Sequence, residues 1–358
     1  MKKRKRFEVI ECRGTAREIG RQYGQAARGN ILKSIDLLVN ANVDPAYKAS
    51  KAEVLANSRK YLPVVEGFDP ELIEMLKGQA EGAGVTFDEV FALRCWEELG
   101  FYYQHLTTLC TAFAVTGKAT RGGKTIIGQN FDVLSGSTAD LVRIKFNDGM
   151  EHLSLVYWGG GGELPLTSAG LGVVVNTVLT PAREQRLVVP SACVVLKAMR
   201  QKRLGDALGV FCTYGRSTLH YMVASREGES FSIENRPDDF NVLQPVNDVL
   251  VHTNHYLTER FKVGDSAIPD IRGSTYVRQQ RMQRLIDKYC GDLTVERMME
   301  FLADHHNYPH SICSHPEENA PPASSAETVF SIIMVPEDGA MYVTYGQPCA
   351  YEYEEYRL

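Results

Sequence analysis

The front of the chain carries hydrophobic residues at the three- and four-residue spacing of amphipathic helices, after a short strand-like stretch at residues 7–12. Helix starts are signalled by two capping boxes and by a proline suited to a first helical turn: Thr15/Glu18, Thr86/Glu89 and Asp69-Pro70. We therefore predict that residues 13–105 are mainly helical.

The pattern changes at Leu109. Cys110 opens a strand-like run, a turn follows at residues 121–124, and a second strand-like run covers 125–132, which is the sequence form of a β-hairpin. Further strands are predicted at 141–146, 152–158, 171–179, 219–225, 229–234, 248–252, 329–334 and 341–344. This half of the chain is predicted to be rich in strands.

Helical spacing returns in the strand-rich half. The predicted helices cover 190–203, 274–289 with a start at Ser274, and 294–305 with a start at Thr294. The chain shows no alternating β-α-β rhythm, and residues 317–325 are predicted to form a surface loop. A helical front, a strand-rich middle and scattered helices indicate an α+β fold in which helices cover sheets.

Composition narrows the class of protein. The formal net charge is −5 over 358 residues, which excludes the broad basic field of a nucleic-acid-binding protein. No stretch has the length of a membrane span, and charged residues follow the basic run at residues 2–6 where a signal peptide would be apolar. The eight cysteines are scattered without a C-x-x-C pair, so we expect reduced thiols and a cytoplasmic location.

Cys110 lies where the helical pattern gives way to the hairpin. If the preceding peptide bond were cut, the side chain of Cys110 would lie beside its own free α-amine. An amine with a pKa of about 8 exchanges protons readily with a thiol of about 8.5, so the amine can serve as base for the nucleophile. By composition alone, any of the eight cysteines is more often a buried apolar residue than a catalytic one.

Cys110-Thr-Ala-Phe, the hairpin and Gly128-Gln-Asn-Phe-Asp132 together resemble the core motif of the acyl-CoA:6-aminopenicillanate acyltransferase family, a group of self-processing cysteine peptidases. Similar segments lie elsewhere along the chain, at Gly14–Gly24, Val251–His255, Tyr308–Cys313 and Ser331–Cys349. The resemblance implies a four-layer αββα sandwich of the N-terminal-nucleophile hydrolase type. It also implies self-cleavage just before a cysteine that then becomes the nucleophile.

The resemblance implies a role for each matched residue. Cys110 would attack the carbonyl of Leu109 and afterwards attack substrate. Asp132 would orient the new α-ammonium, and Asn254 would donate its amide to the oxyanion. Asn130 and Asn176 are further candidates for polar positions around the site, and the alternative for each is a structural role.

Two positions depart from the family pattern. Glycine often precedes the cleaved bond, but here Leu109 does, and a bulky residue makes the strained conformation for self-attack harder to reach. The Ser-Ile-Cys motif often runs into an arginine, but Ser314 occupies that position. A basic contact would then be missing or would come from another residue such as Arg143 or Arg216.

Other chemical interpretations have weaker support. His252 and His255, or His305, His306 and His310 with Asp304, could hold zinc, but neither set has a metal-ligand motif. Cys313 could form a nucleophilic pair with His310 or His315. The glycine run at 159–162 lacks the lysine of a phosphate-binding loop, and we predict a flexible turn there that could edge a substrate pocket.

The sequence thus predicts an autoproteolytic cysteine N-terminal-nucleophile enzyme, an amidohydrolase or acyl-CoA:amine acyltransferase. A helical segment 1–109 and a segment 110–358 would remain packed as one domain after cleavage. The partner would be a small acyl amide or acyl-CoA, with no cofactor, metal, nucleic acid or membrane involved; self-association stays open. The alternative is a binding protein that retains the fold without processing, which Leu109 favours.

Overall fold

The computed structural model describes residues 2–40, 49–102, 110–178, 187–217, 219–262, 269–318 and 326–358. The described helices are α1 (Ala16–Ala26), α2 (Arg28–Leu38), α3 (Lys51–Arg59), α4 (Leu62–Phe68), α5 (Pro70–Ala83), α6 (Phe87–Arg94), α7 (Trp96–Tyr102), α8 (Ser191–Met199), α9 (Leu204–Tyr214), α10 (Glu259–Lys262), α11 (Pro269–Lys288) and α12 (Val295–Leu302). The described strands are β1 (Val9–Gly14), β2 (Thr111–Gly117), β3 (Gly123–Leu134), β4 (Ala139–Phe146), β5 (Glu151–Tyr157), β6 (Gly162–Thr167), β7 (Leu171–Thr177), β8 (Leu219–Ser225), β9 (Ser230–Asn235), β10 (Phe240–Leu243), β11 (Val249–His252), β12 (Ala326–Val335), β13 (Ala340–Val343) and β14 (Glu354–Arg357).

The strands form two sheets. One is eight-stranded in the order β1-β4-β5-β6-β7-β8-β9-β10, and the other is six-stranded in the order β11-β2-β3-β12-β13-β14. Only the β1–β4 pair is parallel among the described pairs. The predicted hairpin is β2 and β3, in which Ala112 pairs with Gln129. This hairpin lies in the middle of the six-stranded sheet.

The two sheets pack face to face. A Cβ added to Gly172 of β7 would lie 3.2 Å from the side chain of Ile127 of β3. The amide of Gln129, also on β3, accepts a hydrogen bond from the backbone N–H of Val175 at 2.7 Å. That N–H is available because β6 and β7 pair only at Leu166 and Gly172. The side chain of Gln129 in the six-stranded sheet therefore takes the place of a backbone hydrogen bond between strands of the eight-stranded sheet.

Helices cover the outer face of each sheet. Phe113 and Val115 of β2 face outward and pack in one buried cluster with Met282 and Ile286 of α11 and Met298 of α12. The opposite side of β2, with Ala112 and Ala114, belongs to the larger core, which continues through the eight-stranded sheet to α1, α2, α5 and α8. The predicted α+β fold, with helices on both outer faces of two packed sheets in a four-layer αββα sandwich, is confirmed.

Local signals located most of the element starts. Thr15 and Thr86 cap their helices in full capping boxes, Asp69 caps α5, and Thr294 caps α12. The helix predicted to start at Ser274 begins earlier, at Pro269. The helix predicted at 190–203 is α8 alone, and α9 follows it as a separate helix that the pattern did not predict.

The glycine run at 159–162 forms the predicted turn, but the turn is buried and held by hydrogen bonds rather than flexible. Residues 159–161 form a buried turn, and Gly162 begins β6. Gln79 of α5 donates to the carbonyl of Gly159 at 2.7 Å, and Arg94 of α6 donates to that of Gly160 at 3.2 Å. Buried partners for these carbonyls hold the turn in place, so small residues serve close packing here.

None of the helices in the described ranges combines the length and the apolar content needed to cross a membrane.

Candidate active site

Cys110 immediately precedes β2, in the central hairpin of the six-stranded sheet. Its side chain is 1% exposed and belongs to the core between the sheets, like Ala112 two residues on. Asp132 on the neighbouring strand β3 is near enough to the sulfur that its charge and its backbone both act on the thiol. The hairpin register therefore places the sulfur of Cys110 beside the backbone of Asp132.

A buried arginine joins Cys110 to the other side of the site. Arg278 of α11 is fully buried, and its Nη1 donates to the carbonyl oxygen of Cys110 at 2.6 Å and to Oγ1 of Thr111 at 3.0 Å. Its Nη2 donates to Oδ1 of Asn254 at 3.0 Å. One guanidinium thus fixes Cys110 and Asn254 relative to each other through its planar fork of donors.

Asn254 follows β11, the strand that pairs with β2. Its backbone N–H donates to Oγ1 of Thr275 at 2.8 Å, and its Nδ2 donates to the carbonyl of Thr177 at 3.1 Å. Because Arg278 occupies the amide oxygen, the NH₂ group must point away from the arginine. An amide nitrogen carries two hydrogens, so one remains for a further acceptor after Thr177 is satisfied.

Asp132 is fully buried on β3. Its Oδ1 accepts a hydrogen bond from Oγ1 of Thr328 on β12 at 2.6 Å. Its Oδ2 has no hydrogen-bond partner among the described residues. A buried carboxylate oxygen without a donor is costly, so this position is suited to a group that forms or binds later.

The charges of the site perturb one another. Burial raises the pKa of the Asp132 carboxyl to about 7, although Thr328 and Arg278 oppose the rise. Burial, reinforced by the charge of Asp132, also raises the pKa of the Cys110 thiol well above its ordinary value. Burial lowers the pKa of Arg278 to about 10. In the uncut chain the thiol is therefore protonated at neutral pH, and Asp132 titrates close to neutrality.

Asn176 lies at the end of β7, on the side of that strand which carries Gly172 toward the other sheet. Its Oδ1 is 3.2 Å from Nδ1 of His220, and its Nδ2 has no partner among the described residues. His220 stacks on His252 with ring centroids 3.6 Å apart, and His252 bonds to Glu234 at 2.9 Å. The two histidines thus belong to a buried polar network behind Asn176 and Asn254.

Asn130 has contacts of a different kind. Its Nδ2 donates to the carbonyls of Leu302 at 2.8 Å and Ile312 at 2.7 Å. Both amide hydrogens are therefore used to join β3 to the outer helical layer. Asn130 is thus tied to the outer layer through its amide nitrogen, whereas Arg278 bonds to Cys110 and Asn254 and its charge acts on Asp132.

The basic residue of the site is not one of those that we considered. Arg143 pairs with Glu11 at 2.6 Å at the edge of the eight-stranded sheet, and Arg216 lies over the ring of Phe240. Arg278 provides the contact instead. It lies in a helix with many polar residues, where nothing in the local pattern distinguishes it from Arg281 or Arg284. Its only sequence signal is its position within the segment after Ser274.

The bond predicted to be cut lies at the edge of the described ranges. Leu109 is outside the described residues, and so are residues 103–108. The charge of Glu97 on α7, in the front segment, acts on the thiol of Cys110. Burial raises the pKa of the Glu97 carboxyl to about 8. The front segment thus contributes to the surroundings of the sulfur.

The described hydrogen bonds of Arg278 do not include the residues of the rival sites. His252 and His255 belong to the polar network around Asn254, with His255 Nδ1 2.9 Å from Oγ1 of Thr275. Cys313 lies 3.6 Å from Nε2 of His315, as the alternative nucleophilic pair requires. Among the described residues, one group has the composition and spacing to hold a metal ion: His305, Cys313, His315 and Cys349.

Comparison with known sequences gives two findings. The sequence family described as acyl-coenzyme A:6-aminopenicillanic acid acyl-transferase matches residues 119–350, a span that contains Asp132, Asn254 and Arg278 and begins after Cys110. The chain is also similar to the 40 kDa form of acyl-coenzyme A:6-aminopenicillanic-acid-acyltransferase from Emericella nidulans. The two are 26% identical over 334 residues, which cover 90% of this chain and 88% of the relative.

The chain is less similar to the solved structures. A variant of the conjugated bile acid hydrolase from Clostridium perfringens matches with a TM-score of 0.43 and 13% identity, over 70% of this chain and 97% of that one. Penicillin V acylase from Agrobacterium tumefaciens matches with a TM-score of 0.42 and 12% identity, over 66% of this chain and 83% of that one.

Proposed function

Because the chain belongs to the acyl-coenzyme A:6-aminopenicillanic acid acyl-transferase family, whose chemistry is acyl transfer, we propose that it is a self-processing enzyme with Cys110 as nucleophile. The observation that carries the proposal is the arrangement around Arg278. This arginine contacts Cys110 and Asn254 at once, and the buried Oδ2 of Asp132 has no partner within the part of the chain that the structure describes. A nucleophile, an oxyanion donor and an acid–base group thereby share one buried site.

The first step is cleavage of the Leu109–Cys110 bond. The Asp132 carboxylate accepts the thiol proton, because its pKa of about 7 suits a base at neutral pH. The sulfur attacks the carbonyl carbon of Leu109, the C–N bond breaks, and the nitrogen of Cys110 leaves as an amine that takes the proton. Water then hydrolyses the thioester, which leaves a carboxylate at Leu109 and restores the thiol of Cys110.

The cleaved chain has a different base. The new α-amine of Cys110 accepts the thiol proton in each turnover. Oδ2 of Asp132, which has no partner among the residues that the structure describes, holds the resulting ammonium. The ammonium also adds a second positive charge beside the thiolate, next to that of Arg278. No cofactor enters these steps, since the base belongs to the nucleophile itself.

Acyl transfer then proceeds through a thioester. The thiolate attacks the carbonyl of a linear acyl amide or an acyl-CoA, and the free hydrogen of Asn254 Nδ2 donates to the oxyanion. The leaving amine or thiol takes the proton from the α-ammonium. An amine or water then attacks the Cys110 thioester, which gives N-acyl transfer or hydrolysis according to the acceptor that the pocket holds.

Incubation of processed protein with a panel of acyl-CoAs and linear acyl amides, with and without an amine, tests this function. Mass spectrometry should find the acyl group on the peptide that begins at Cys110, and added amine should discharge it as an N-acyl product. Acylation confined to another cysteine, such as Cys313, would contradict the assignment. Turnover that survives Cys110→Ala would do the same.

The second candidate is a binding protein that keeps the fold without processing. Leu109 favours it, because this bulky residue stands where the resemblance implies glycine. Such a protein would remain a single 39.9 kDa species and would bind acyl compounds without forming a thioester.

A further inference from the structure

Four metal-ligating side chains meet at one place behind the active-site strands. His305 follows α12, Cys313 and His315 lie in the loop that leads toward β12, and Cys349 follows β13. Their nearest ligand atoms all lie within 4.8 Å of one another. Three segments that are distant in sequence therefore bring two imidazoles and two thiols together.

The spacing of these atoms fits a tetrahedral ion. With bonds of about 2.3 Å to sulfur and about 2.05 Å to nitrogen, a tetrahedral zinc site separates two nitrogens by about 3.3 Å and a sulfur from a nitrogen by about 3.6 Å. The Nε2 atoms of His305 and His315 are 3.1 Å apart. Nε2 of His315 lies 3.6 Å from the sulfur of Cys313 and 3.5 Å from that of Cys349.

Hydrogen bonding alone does not explain this convergence. Nε2 of an imidazole has one in-plane direction for a hydrogen or a lone pair, so it serves one partner well. Here Nε2 of His315 has three close neighbours, namely His305, Cys313 and Cys349. A central ion lets all four atoms point at a common centre instead of at one another.

We propose that His305, Cys313, His315 and Cys349 bind one zinc ion in a closed, structural Cys₂His₂ site. Both thiols would lose their protons to solvent on binding, and the two thiolates would then balance the charge of Zn²⁺. Four protein ligands leave no open position for a reacting water, so the ion holds the fold together rather than doing chemistry. We predicted no metal from the sequence, where the histidine clusters lack a ligand motif; these four residues come from three separate segments.

The ion would stabilise the hydrogen-bonded residues that hold Asp132 in position. Ser314, between two of the ligands, donates its backbone N–H to Oγ1 of Thr328 at 2.9 Å, and its carbonyl accepts from the N–H of Thr328 at 3.1 Å. Thr328 donates to Asp132 in turn. Loss of the ion should therefore slow cleavage before Cys110, an effect that rests on the proposed function.

Metal analysis of the full chain tests the site. We expect about one zinc ion per chain by elemental mass spectrometry, in wild-type protein and in the uncleavable Cys110→Ala variant alike. Cobalt added to chelator-treated protein should give the strong visible absorption of a tetrahedral thiolate site. His305→Ala and Cys349→Ser should each lower the zinc content at least tenfold, whereas the exposed Cys290→Ser should leave it unchanged.

Three results would overturn the proposal. One is metal-free protein that takes up neither zinc nor cobalt in reducing buffer. Another is a disulfide between Cys313 and Cys349 in protein purified with its thiols protected. The third is zinc that persists in both ligand variants and is lost with Cys290→Ser. Since Cys110→Ala never processes, its metal content decides the question independently of the proposed enzyme activity.

Discussion

Arg278 is the residue on which the geometry of the site depends. Burial costs the guanidinium its hydration, and the charge-assisted bonds to Cys110 and Asn254 offset that cost. The sequence resemblance identified the two residues that Arg278 joins, but not Arg278 itself. Arg278 reaches the site because α11 crosses the edge of the six-stranded sheet. No local sequence pattern encodes that crossing.

Replacing Arg278 with lysine should slow cleavage before Cys110 about 100-fold or more. Lysine keeps the positive charge but lacks the planar guanidinium that reaches both partners at once. Each lost hydrogen bond to a charged group is worth about 1.5–3 kcal/mol. The fraction cleaved over time on denaturing gels measures the rate. The matched control, Arg284→Lys on the exposed side of the same helix, should cleave normally; equal rates for both variants would remove Arg278 from the site.

Asp132 makes the stability of the uncut chain depend on pH. Its pKa is raised from 3.8 to about 7 in the folded chain, so the folded state holds the proton more tightly than the unfolded one. This contribution to stability is fully present below pH 3.8 and is lost as pH rises through about 7. In a Cys110→Ala background, Asp132→Asn should therefore stabilise the protein by up to about 4 kcal/mol at pH 8 and hardly at all at pH 4.

Urea unfolding at the two pH values measures that difference. A variant that is less stable than its parent at pH 8 would show that Arg278 keeps Asp132 fully ionised in the folded chain. A pKa that stays low would also make the Asp132 carboxylate a weaker base for the first step.

At the scale of elements, the helices of the front segment pack more closely than their hydrophobic pattern indicates. A Cβ at Gly20 of α1 would lie 1.8 Å from the carbonyl oxygen of Met75, and one at Gly78 of α5 would lie 2.0 Å from that of Arg17. Gly24 and Gly82 repeat this contact one turn along each helix. The two backbones touch because glycine leaves room at these four positions.

Gly20→Ala should consequently destabilise the chain by about 3 kcal/mol, since the methyl group forces the two helices apart. Gly209→Ala is the control: Gly209 lies exposed within α9 with open space around it, and alanine there should stabilise by about 1 kcal/mol. Thermal unfolding of both variants in the Cys110→Ala background decides the case. A neutral Gly20→Ala would mean that α1 and α5 are not in contact.

Element positions were predictable where the signal is local. The capping boxes at Thr15 and Thr86 fix helix starts because their side chains satisfy backbone donors in place. Strand β6 was not predicted, because its glycine and Pro165 are typical of turns. The strand is held instead by an ion pair between Glu163 and Arg94, which is distant in sequence. The convergence of Cys110, Asp132 and Asn254 came from the family resemblance, since sheet order cannot be read from local spacing.

At the scale of the whole molecule, the cut proposed at Leu109–Cys110 would fall between two segments that share one core. Ile19 and Leu76 of the front segment belong to the same buried cluster as Leu141 and Val173 of the strand-rich segment. Burial of apolar surface between the segments persists when one peptide bond is hydrolysed. The two pieces should then behave as one folded body.

We expect the cleaved pieces to elute together from a size-exclusion column at the volume of the uncut Cys110→Ala chain. Urea should separate them in a single cooperative transition. Elution as two species under native conditions would mean that the front segment is released, and that the shared core does not survive cleavage.

The central claim is that the nitrogen of Cys110 becomes a free amine beside its own sulfur. Intact-mass measurement of the purified protein over several days, beside Cys110→Ala, tests it most directly. The account predicts two chains of about 12 and about 28 kDa in place of the 39.9 kDa species, the larger beginning at Cys110. A wild-type chain that stays whole while it turns over acyl substrates, or a Cys110→Ala chain cut at the same bond, would contradict it.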